Sequence, residues 1–440
     1  MCEKGLSQER VRAMAFLVFE NRVRLLEQVK MKKNKSWLKG FLQGVTGSIL
    51  VMGGLFYLQY GTLPLAGNSV VTGSSAHKAA RIEKLVEENY LEETDSDTLS
   101  EGMYAGMMAS LQDPYSGYFS EENYKRLMES TEGRYTGIGL MMQQDQETKE
   151  ITVYDCYGGS PAEKAGVKKG DVIYKVGDQL ASEMSVTEIA NEIKNGDMEE
   201  LKFTLLREGE EIEVTIIPDT VEIPVIKSRM LDNKQGYVQI KEFTEGTPEQ
   251  FKTAYEELKK ENMQGMIIDL RNNPGGLLRS VCETLEQILP EGMIVYTEDK
   301  YGNRDEHTCK GETPIEVPLV VLVNGESASA AEIFAGAVKD HEIGTLVGTT
   351  TFGKGIVQKT YALGDGSAVK MTVSKYYTPK GVNIHGEGIH PDVEVKWQKE
   401  NNESDVSELN DLSEEEWLSK DNQMKKSVQV LSTLVAEEEK

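Results

Sequence analysis

The chain has 440 residues, of which 39% are hydrophobic and 28% charged. This is the composition of a globular protein, and the length predicts two or three domains, each with its own core. The formal net charge of −25 excludes nucleic acid as a partner, because so acidic a surface would repel phosphates. Residues 1–40 form a basic segment with ten Lys or Arg and four Asp or Glu, which leaves −31 for the remainder.

An uncharged stretch follows this basic segment. No charged residue occurs between Gly40 and Ala76, and residues 41–60 are predominantly apolar. About 20 such residues span a bilayer as a helix, with the preceding lysines kept on the cytoplasmic side. A cleaved signal peptide would have a shorter basic region and a small-residue cleavage site, and a buried core helix would be shorter and less uniformly uncharged. We therefore expect a single-pass anchor in the cell membrane, with the rest of the chain outside the cytoplasm.

The four cysteines indicate no metal site. Cys2 precedes the anchor, and Cys156, Cys282 and Cys309 lack the spacing of metal ligands. A bridge between Cys282 and Cys309 is an alternative, but three isolated thiols are more simply explained as small, mostly buried residues. We expect no metal and no cofactor.

The first part of the chain beyond the anchor is predicted to contain helices and then short strands. After a linker over 61–76, residues 77–133 have helical periodicity, broken by a turn at Asp113-Pro-Tyr-Ser. Residues 134–218 alternate short strands with turns, include one amphipathic helix, and end in a hairpin around Glu208-Gly209. We expect this β-rich block to be a small independent domain.

The second part alternates strands and helices. Over residues 219–397, apolar runs of four to six residues stand between helical segments, which predicts an α/β layered core. Residues 398–440 form an acidic tail that ends in a helix with one apolar stripe, made by Val428, Leu431, Leu434 and Val435. Such a stripe without a local core usually packs on another helix, so a homodimer is a candidate assembly.

Three segments of the α/β part could carry chemistry. Ser329 follows a buried strand and a polar turn and begins a helix of small residues, where free backbone N–H groups stabilise negative charge. A serine at this position is more often a plain helix cap. Lys354 stands between two glycines; burial would lower its pKa and let the neutral amine accept a proton from a serine. Gln358 could orient it. The Gly275-Gly276 pair ends a strand and could turn N–H groups toward a pocket, or could simply be a turn.

Together these segments resemble one family. DLRNNPGG (269–276), NGESASAAE (324–332) and TFGKGIVQ (351–358), in this order, resemble the C-terminal processing proteases, also called tail-specific proteases, in which the serine and lysine are likewise 25 residues apart. Asp113-Pro-Tyr-Ser is similar to the segment that precedes the PDZ domain inserted in that family, and Gly386–Asp392 is similar to the closing strand. The resemblance covers about residues 77–397.

The resemblance implies a fold and a mechanism. The fold would be a crotonase/ClpP-like α/β protease core at 219–397 with an inserted PDZ domain at 134–218. Ser329 would attack the peptide carbonyl, Lys354 would act as general base, and Gln358 would position the lysine. The oxyanion hole would use backbone N–H groups of Ala330 and of Gly275 or Gly276. Glu332 and Asp340 match acidic positions that look supportive rather than catalytic, and His385 and His390 look like surface or capping residues.

The resemblance also implies partners. The PDZ block would receive the C-terminal carboxylate of a protein or peptide substrate at four backbone N–H groups, those of Gly137, Ile138, Gly139 and Leu140. Lys168, the nearest match to a basic residue that contacts the protease domain in related enzymes, would be a gate. The expected activity is a serine endopeptidase acting at or near C-terminal tails of extracytoplasmic proteins. The alternatives are an inactive PDZ-bearing membrane scaffold and a core used for acyl-CoA chemistry.

Overall fold

The structure, a computed structural model, describes residues 73–195, 200–398, 409 and 412–438. The chain divides into two units between Ser96 and Asp97. In the described residues the first unit consists mainly of helix α1, Gly73–Asn89. The predicted anchor at 41–60 lies outside the described residues, and among those described no helix is long and apolar enough to cross a bilayer.

The second unit begins with two helices joined by a turn and a short strand. These are α2 (Ser96–Ala109), β1 (Gly117–Phe119) and α3 (Glu121–Glu132). Helix α3 ends at Gly133, whose φ of 69° is left-handed and whose N–H bonds the carbonyls of the last helical turn. A Cβ there would lie 2.5 Å from Oγ1 of Thr244, so only glycine fits where the chain leaves the helix.

A two-stranded stem carries the inserted domain. Strand β2 (Arg134–Gly137) pairs antiparallel with β9 (Asp219–Glu222), so the chain enters and leaves the insertion side by side. The insertion has a sheet in the order β3-β4-β5-β7-β8, with β6 paired to β5. Its elements are β3 (Leu140–Gln144), β4 (Ile151–Cys156), α4 (Pro161–Lys164), β5 (Val172–Val176), β6 (Gln179–Leu180), a 3-10 turn (Ala181–Glu183), α5 (Val186–Asn195), β7 (Leu201–Arg207) and β8 (Glu210–Ile216). It has a core of its own around Ile151, Phe203 and Leu205.

The part of the chain after the insertion contains a six-stranded sheet in the order β10-β11-β12-β15-β16-β19, parallel except for β10. Its strands are β10 (Ile226–Met230), β11 (Gln235–Ile240), β12 (Gly265–Asp269), β15 (Leu319–Val323), β16 (Thr345–Gly348) and β19 (Val393–Glu394). The helices that follow its strands are α6 (Thr247–Lys260), α7 (Leu278–Leu285) and α8 (Ala330–Asp340). This confirms the predicted α/β core.

A second, antiparallel sheet was not predicted from the sequence. It consists of β1, β13 (Gly292–Asp299), β14 (Arg304–Cys309), β17 (Ile356–Ala362) and β18 (Ala368–Tyr377), with β18 pairing β1, β13 and β17. Most of β18 is only half-buried, so its sequence lacks a clean two-residue alternation. Because β1 precedes the inserted domain and pairs with β18, the segment before the insertion belongs to the same fold as the segment after it.

Helices cover both faces of the parallel sheet. Leu319, Val321 and Val323 point into the core shared with α6, α7 and α8, whereas Val320 and Leu322 point to the opposite face. That second face is covered by α9 (Glu414–Lys420) and α10 (Asn422–Glu438). The apolar stripe of α10 therefore packs on this chain's own sheet, and it gives no reason to expect a partner helix. The thiols of Cys156, Cys282 and Cys309 are free.

A buried ionic cluster fastens these last helices to the sheet. The Arg271 guanidinium, which is wholly buried, donates to Asp269 (2.6 Å) at the end of β12 and to Asp421 (2.9 Å) between α9 and α10. The Trp417 indole N–H also donates to Asp421, at 3.2 Å, and the Tyr237 hydroxyl donates to Asp269, at 3.0 Å. The two aspartates hold the pKa of Arg271 well above its usual value despite its burial.

Removing one partner of this cluster should destabilise the fold. In Asp421→Ala the buried arginine loses one of its two carboxylates, and we expect the free energy of unfolding to fall by about 3 kcal/mol. Glu416→Ala, which removes the partly exposed pair with Lys420, is the matched control and should cost under about 1 kcal/mol. Urea denaturation of both variants measures the difference. Equal losses would show that Arg271 does not depend on Asp421.

Candidate active site

Ser329 lies immediately before helix α8, at the carboxyl end of the parallel sheet, and its backbone is strained. Its φ of 55° and ψ of −114° fall in a region that non-glycine residues rarely adopt. Such strain costs about 1–3 kcal/mol and persists only where the surroundings enforce it. The strained turn presents Ser329 at the N-terminus of α8, where the helix dipole favours negative charge.

The Glu332 carboxylate enforces this conformation. Glu332 is fully buried, and its two oxygens accept four hydrogen bonds. One oxygen receives the N–H of Ser329 (2.8 Å) and the N–H of Lys354 (2.8 Å). The other receives the Thr351 hydroxyl (2.6 Å) and the Gly353 N–H (2.7 Å). One side chain therefore joins the backbone of Ser329 to the backbone of Lys354, although the two residues lie on different loops.

The candidate general base, Lys354, lies in a partly buried environment with charges of both signs. It is half-buried in the loop between β16 and β17. Burial and the positive charge of Lys370 lower the pKa of Lys354, while Asp113 and Glu332 oppose that shift. Within the described residues no hydrogen bond joins the Ser329 hydroxyl to the Lys354 amine. Catalytic hydrogen bonds are often long in the absence of substrate and shorten when it binds.

The glycine pair of the DLRNNPGG segment packs directly against Ser329. A Cβ on Gly275 would lie 2.7 Å from the Cβ of Ser329, so only glycine fits. Asn273 sets this approach, because its side chain accepts the Gly275 N–H at 2.8 Å and its carbonyl accepts the Ala328 N–H at 2.9 Å. The Gly275 N–H is therefore occupied.

The remaining oxyanion candidates are Gly276 and Ala330. Their backbone N–H groups have no acceptor in the part of the chain that the structure describes. Gly276 also lies close to Phe243, whose carbonyl oxygen would be 2.2 Å from a Cβ at that position. Of the two glycines that the resemblance suggested for the oxyanion hole, the geometry favours Gly276.

Two contacts beside the candidate nucleophile were not predicted from the sequence. The Tyr376 hydroxyl, from β18, donates to the Ser329 carbonyl at 3.0 Å. Burial, together with the charge of Glu332, raises the pKa of Tyr376 well above its usual value, so the hydroxyl stays protonated. The Thr351 hydroxyl accepts the Ile389 N–H at 2.7 Å, which ties the closing segment to the site. Thr351 opens the TFGKGIVQ segment, but the motif does not indicate this contact, and no motif contains Tyr376; both contacts join parts of the chain that are distant in sequence.

The other predicted residues lie around this centre. The Gln358 amide, on β17, donates to the Thr372 hydroxyl at 3.4 Å. Asp340 accepts the Lys380 N–H at 2.8 Å at the far end of α8. The ring of His390 contacts the Thr350 hydroxyl at 3.0 Å. Within the described ranges, no group of His, Cys, Asp and Glu side chains is arranged to hold a metal ion.

The Gly137–Leu140 loop lies at the open edge of the inserted domain. Strand β3, which begins at Leu140, is the edge strand of its sheet and lies near helix α5. Gly139 has a φ of 76°, and a Cβ there would lie 2.3 Å from the Cβ of Ser160. The Tyr135 ring covers Gly137, and burial raises the pKa of Tyr135 to about 12. Lys168 is exposed on the turn after α4, where its N–H donates to Asp171 at 2.8 Å.

Comparison with known proteins shows which families this chain resembles. The pattern of peptidase family S41 matches residues 234–395, that of PDZ domains matches 126–206, and that of the activating protease CtpB N-terminal domain matches 65–123. The carboxy-terminal processing protease CtpA of Bacillus subtilis is 37% identical over 345 residues, which cover 76% of this chain and 74% of that protein. The carboxyl-terminal-processing protease of Synechocystis is 34% identical, over 66% of this chain and 69% of that protein. A solved photosystem II D1 C-terminal processing protease, 28% identical, covers 74% of this chain and 94% of its own, with a TM-score of 0.43.

The α/β core, the inserted PDZ domain and these likenesses define a serine protease. The chain belongs to the carboxy-terminal processing proteases of peptidase family S41. The enzyme class predicted from the sequence is confirmed, and the alternatives of an inactive scaffold and of acyl-CoA chemistry are not supported.

Replacing Glu332 should weaken the connection between the turn of Ser329 and the loop of Lys354. In Glu332→Gln either orientation of the amide turns its NH₂ group toward two donors, so two hydrogen bonds are lost. We expect the free energy of unfolding to fall by about 3 kcal/mol and peptide cleavage to fall with it, because Ser329 and Lys354 are no longer held together. Glu326→Gln, exposed on the turn before Ser329, should change neither quantity. Urea denaturation and a peptide assay test both; an unchanged Glu332→Gln variant would contradict the role given to this carboxylate.

Proposed function

We propose that this protease is a membrane-anchored endopeptidase with a Ser329–Lys354 dyad, which cleaves extracytoplasmic proteins at or near their C-terminal tails. The observation that supports it most directly is the shared Glu332 carboxylate, which receives the backbone N–H of both residues at 2.8 Å. By receiving both N–H groups, this buried carboxylate fixes the Ser329 turn relative to the Lys354 loop, as a dyad formed by these two residues requires. The apolar stretch at 41–60, between a basic segment and the folded units, supports the anchor.

The chemistry follows from the positions of the groups. The Ser329 hydroxyl attacks the scissile carbonyl carbon while the neutral Lys354 amine takes its proton. The N–H groups of Ala330 and Gly276 donate to the oxyanion of the tetrahedral intermediate. When the peptide C–N bond breaks, Lys354 returns the proton to the leaving amine, which leaves an acyl-enzyme on Ser329. Water then attacks this ester, with Lys354 again acting as base, and frees the new carboxyl terminus.

The inserted domain is proposed to bind the substrate's tail. The open edge of β3 can accept an extended peptide as an additional strand, and the Gly137–Leu140 loop at its start would receive the terminal carboxylate. The domain is joined to the core by the β2–β9 stem, with an ion pair between Arg134 and Glu245 at 3.5 Å. A stem of two strands allows the domain to move as a unit. Tail binding could then favour the active arrangement of the core, with Lys168 as a candidate gate.

Removing either member of the dyad should abolish cleavage while leaving the fold intact. We expect Ser329→Ala and Lys354→Ala, as full-length chains in detergent, to lose at least about 1,000-fold in kcat. In the parent protein kcat/KM should rise with pH, because only the deprotonated lysine can accept the proton. The midpoint should lie below the usual lysine value of about 10.4, since burial and Lys370 lower the pKa. Retained activity in either variant, inhibition by metal chelators, or a flat profile between about pH 6 and 10 would refute the dyad.

Tail recognition predicts a preference for free carboxylates. A peptide with a C-terminal carboxylate should be cleaved faster than its amidated twin, and added tail peptide should accelerate cleavage of an unrelated unfolded chain. Gly139→Ala should abolish both effects, because the new Cβ would collide with Ser160. Gly159→Ala is the matched control, since its φ is also positive, at 73°, but its Cβ would meet nothing within 4 Å. Equal cleavage rates for the free-carboxylate and amidated peptides, with no acceleration by added tail peptide, would show that the domain neither recognises C-terminal carboxylates nor regulates cleavage.

A further inference from the structure

The turn that precedes the inserted domain lies against the proposed general base. The Lys354 Nζ stands 4.5 Å from the centre of the Tyr115 ring, over its face. At this distance the ring quadrupole attracts an ammonium ion, and the attraction vanishes when the amine is neutral. Tyr115 and Lys354 are 239 residues apart in the chain. They are brought together because β1, just after Tyr115, joins the same antiparallel sheet as β17, which begins just after Lys354.

The turn is rigid and is fastened to that sheet. Asp113 accepts the Tyr115 N–H at 3.0 Å on one carboxylate oxygen and the Ser116 hydroxyl at 2.6 Å on the other. The Ser116 oxygen in turn accepts the Thr372 N–H of β18 at 3.0 Å. These bonds hold the backbone of the turn at Tyr115 against β18.

The charges around Lys354 come from three separate elements. Asp113 faces it from the turn and Glu332 from α8, and both negative charges favour the ammonium form. Lys370 faces it from β18 and disfavours that form, as does burial. The amine thus lies between an acidic turn with an aromatic face and a basic strand.

We propose that Tyr115 and Asp113 are positioning residues for Lys354: their turn forms a fixed receiving site for the ammonium ion that arises when the lysine takes the Ser329 proton. The ring face and the carboxylate stabilise the charged amine as it forms and hold it within reach of the leaving group. This inference rests on the proposed dyad and adds to it two residues from a segment outside the Ser-Lys motifs.

Opposite charge changes should move the pH profile in opposite directions. Asp113→Asn keeps the acceptor for the Tyr115 N–H and removes the negative charge, so the rising limb of kcat/KM should shift to lower pH. Lys370→Gln removes the positive charge, so the limb should shift to higher pH. Asp365→Asn is the control, because Asp365 makes the same type of turn, accepting the Ser367 N–H (2.9 Å) and hydroxyl (2.6 Å), and should leave the limb unchanged. A purely structural effect would not change sign between the first two variants.

The aromatic face is tested separately. Tyr115→Leu keeps an apolar side chain but no ring face, and kcat should fall about 3- to 30-fold with KM nearly unchanged. Tyr115→Phe keeps the ring face and should retain most of the activity. All variants are full-length chains whose folding is checked by circular dichroism; if Asp113→Asn does not fold, Lys370→Gln and the Tyr115 pair decide the question.

The outcomes separate this inference from the proposed function. If Ser329→Ala and Lys354→Ala remain active, the dyad itself is refuted. If they are inactive while the pH limbs of Asp113→Asn and Lys370→Gln coincide with that of the parent, or Tyr115→Leu equals Tyr115→Phe, the dyad stands and the positioning role is overturned.

Discussion

The buried carboxylate of Glu332 is the constraint on which the candidate site depends. Its four hydrogen bonds join the first turn of α8 to the loop of Lys354, and through Thr351 to the closing segment at Ile389. Hydrogen bonds to a charged group contribute about 1.5–3 kcal/mol each, which is enough to offset the strain at Ser329. A neighbouring side chain thus holds the candidate nucleophile, Ser329, in its unusual backbone conformation.

A second buried charge, that of Arg271, stabilises the segment that leads to Gly275 and Gly276. Arg271 joins the end of β12 to the junction of α9 and α10, so the DLRNNPGG segment is anchored in the core before it reaches Gly275 and Gly276. The same eight residues thus serve two purposes. Asp269 and Arg271 hold the segment in place by ionic hydrogen bonds. Gly275, which has no side chain, lets the backbone pack against Ser329.

The inserted domain divides the protease fold in sequence but not in space. The segment before the insertion supplies β1 and the Asp113–Ser116 turn, which meet β18 and Lys354, while the segment after it supplies the parallel sheet. The two-stranded stem therefore connects the PDZ domain to both parts of one fold. This arrangement gives a physical reason why the tail binding proposed for the domain would also affect the candidate site.

The sequence by itself determined the local elements and the residues of the motifs. Apolar runs marked β12 and β15 because both faces of a parallel sheet are buried, and the small residues after Ser329 marked the helix that follows it. Only the tertiary structure decided which residues meet. The partner of the α10 stripe, the pairing of β18 with β1, and the contacts of Tyr376 with Ser329 and of Tyr115 with Lys354 all join parts of the chain that are distant in sequence. Such contacts leave no periodic pattern, because each depends on how separately formed elements pack.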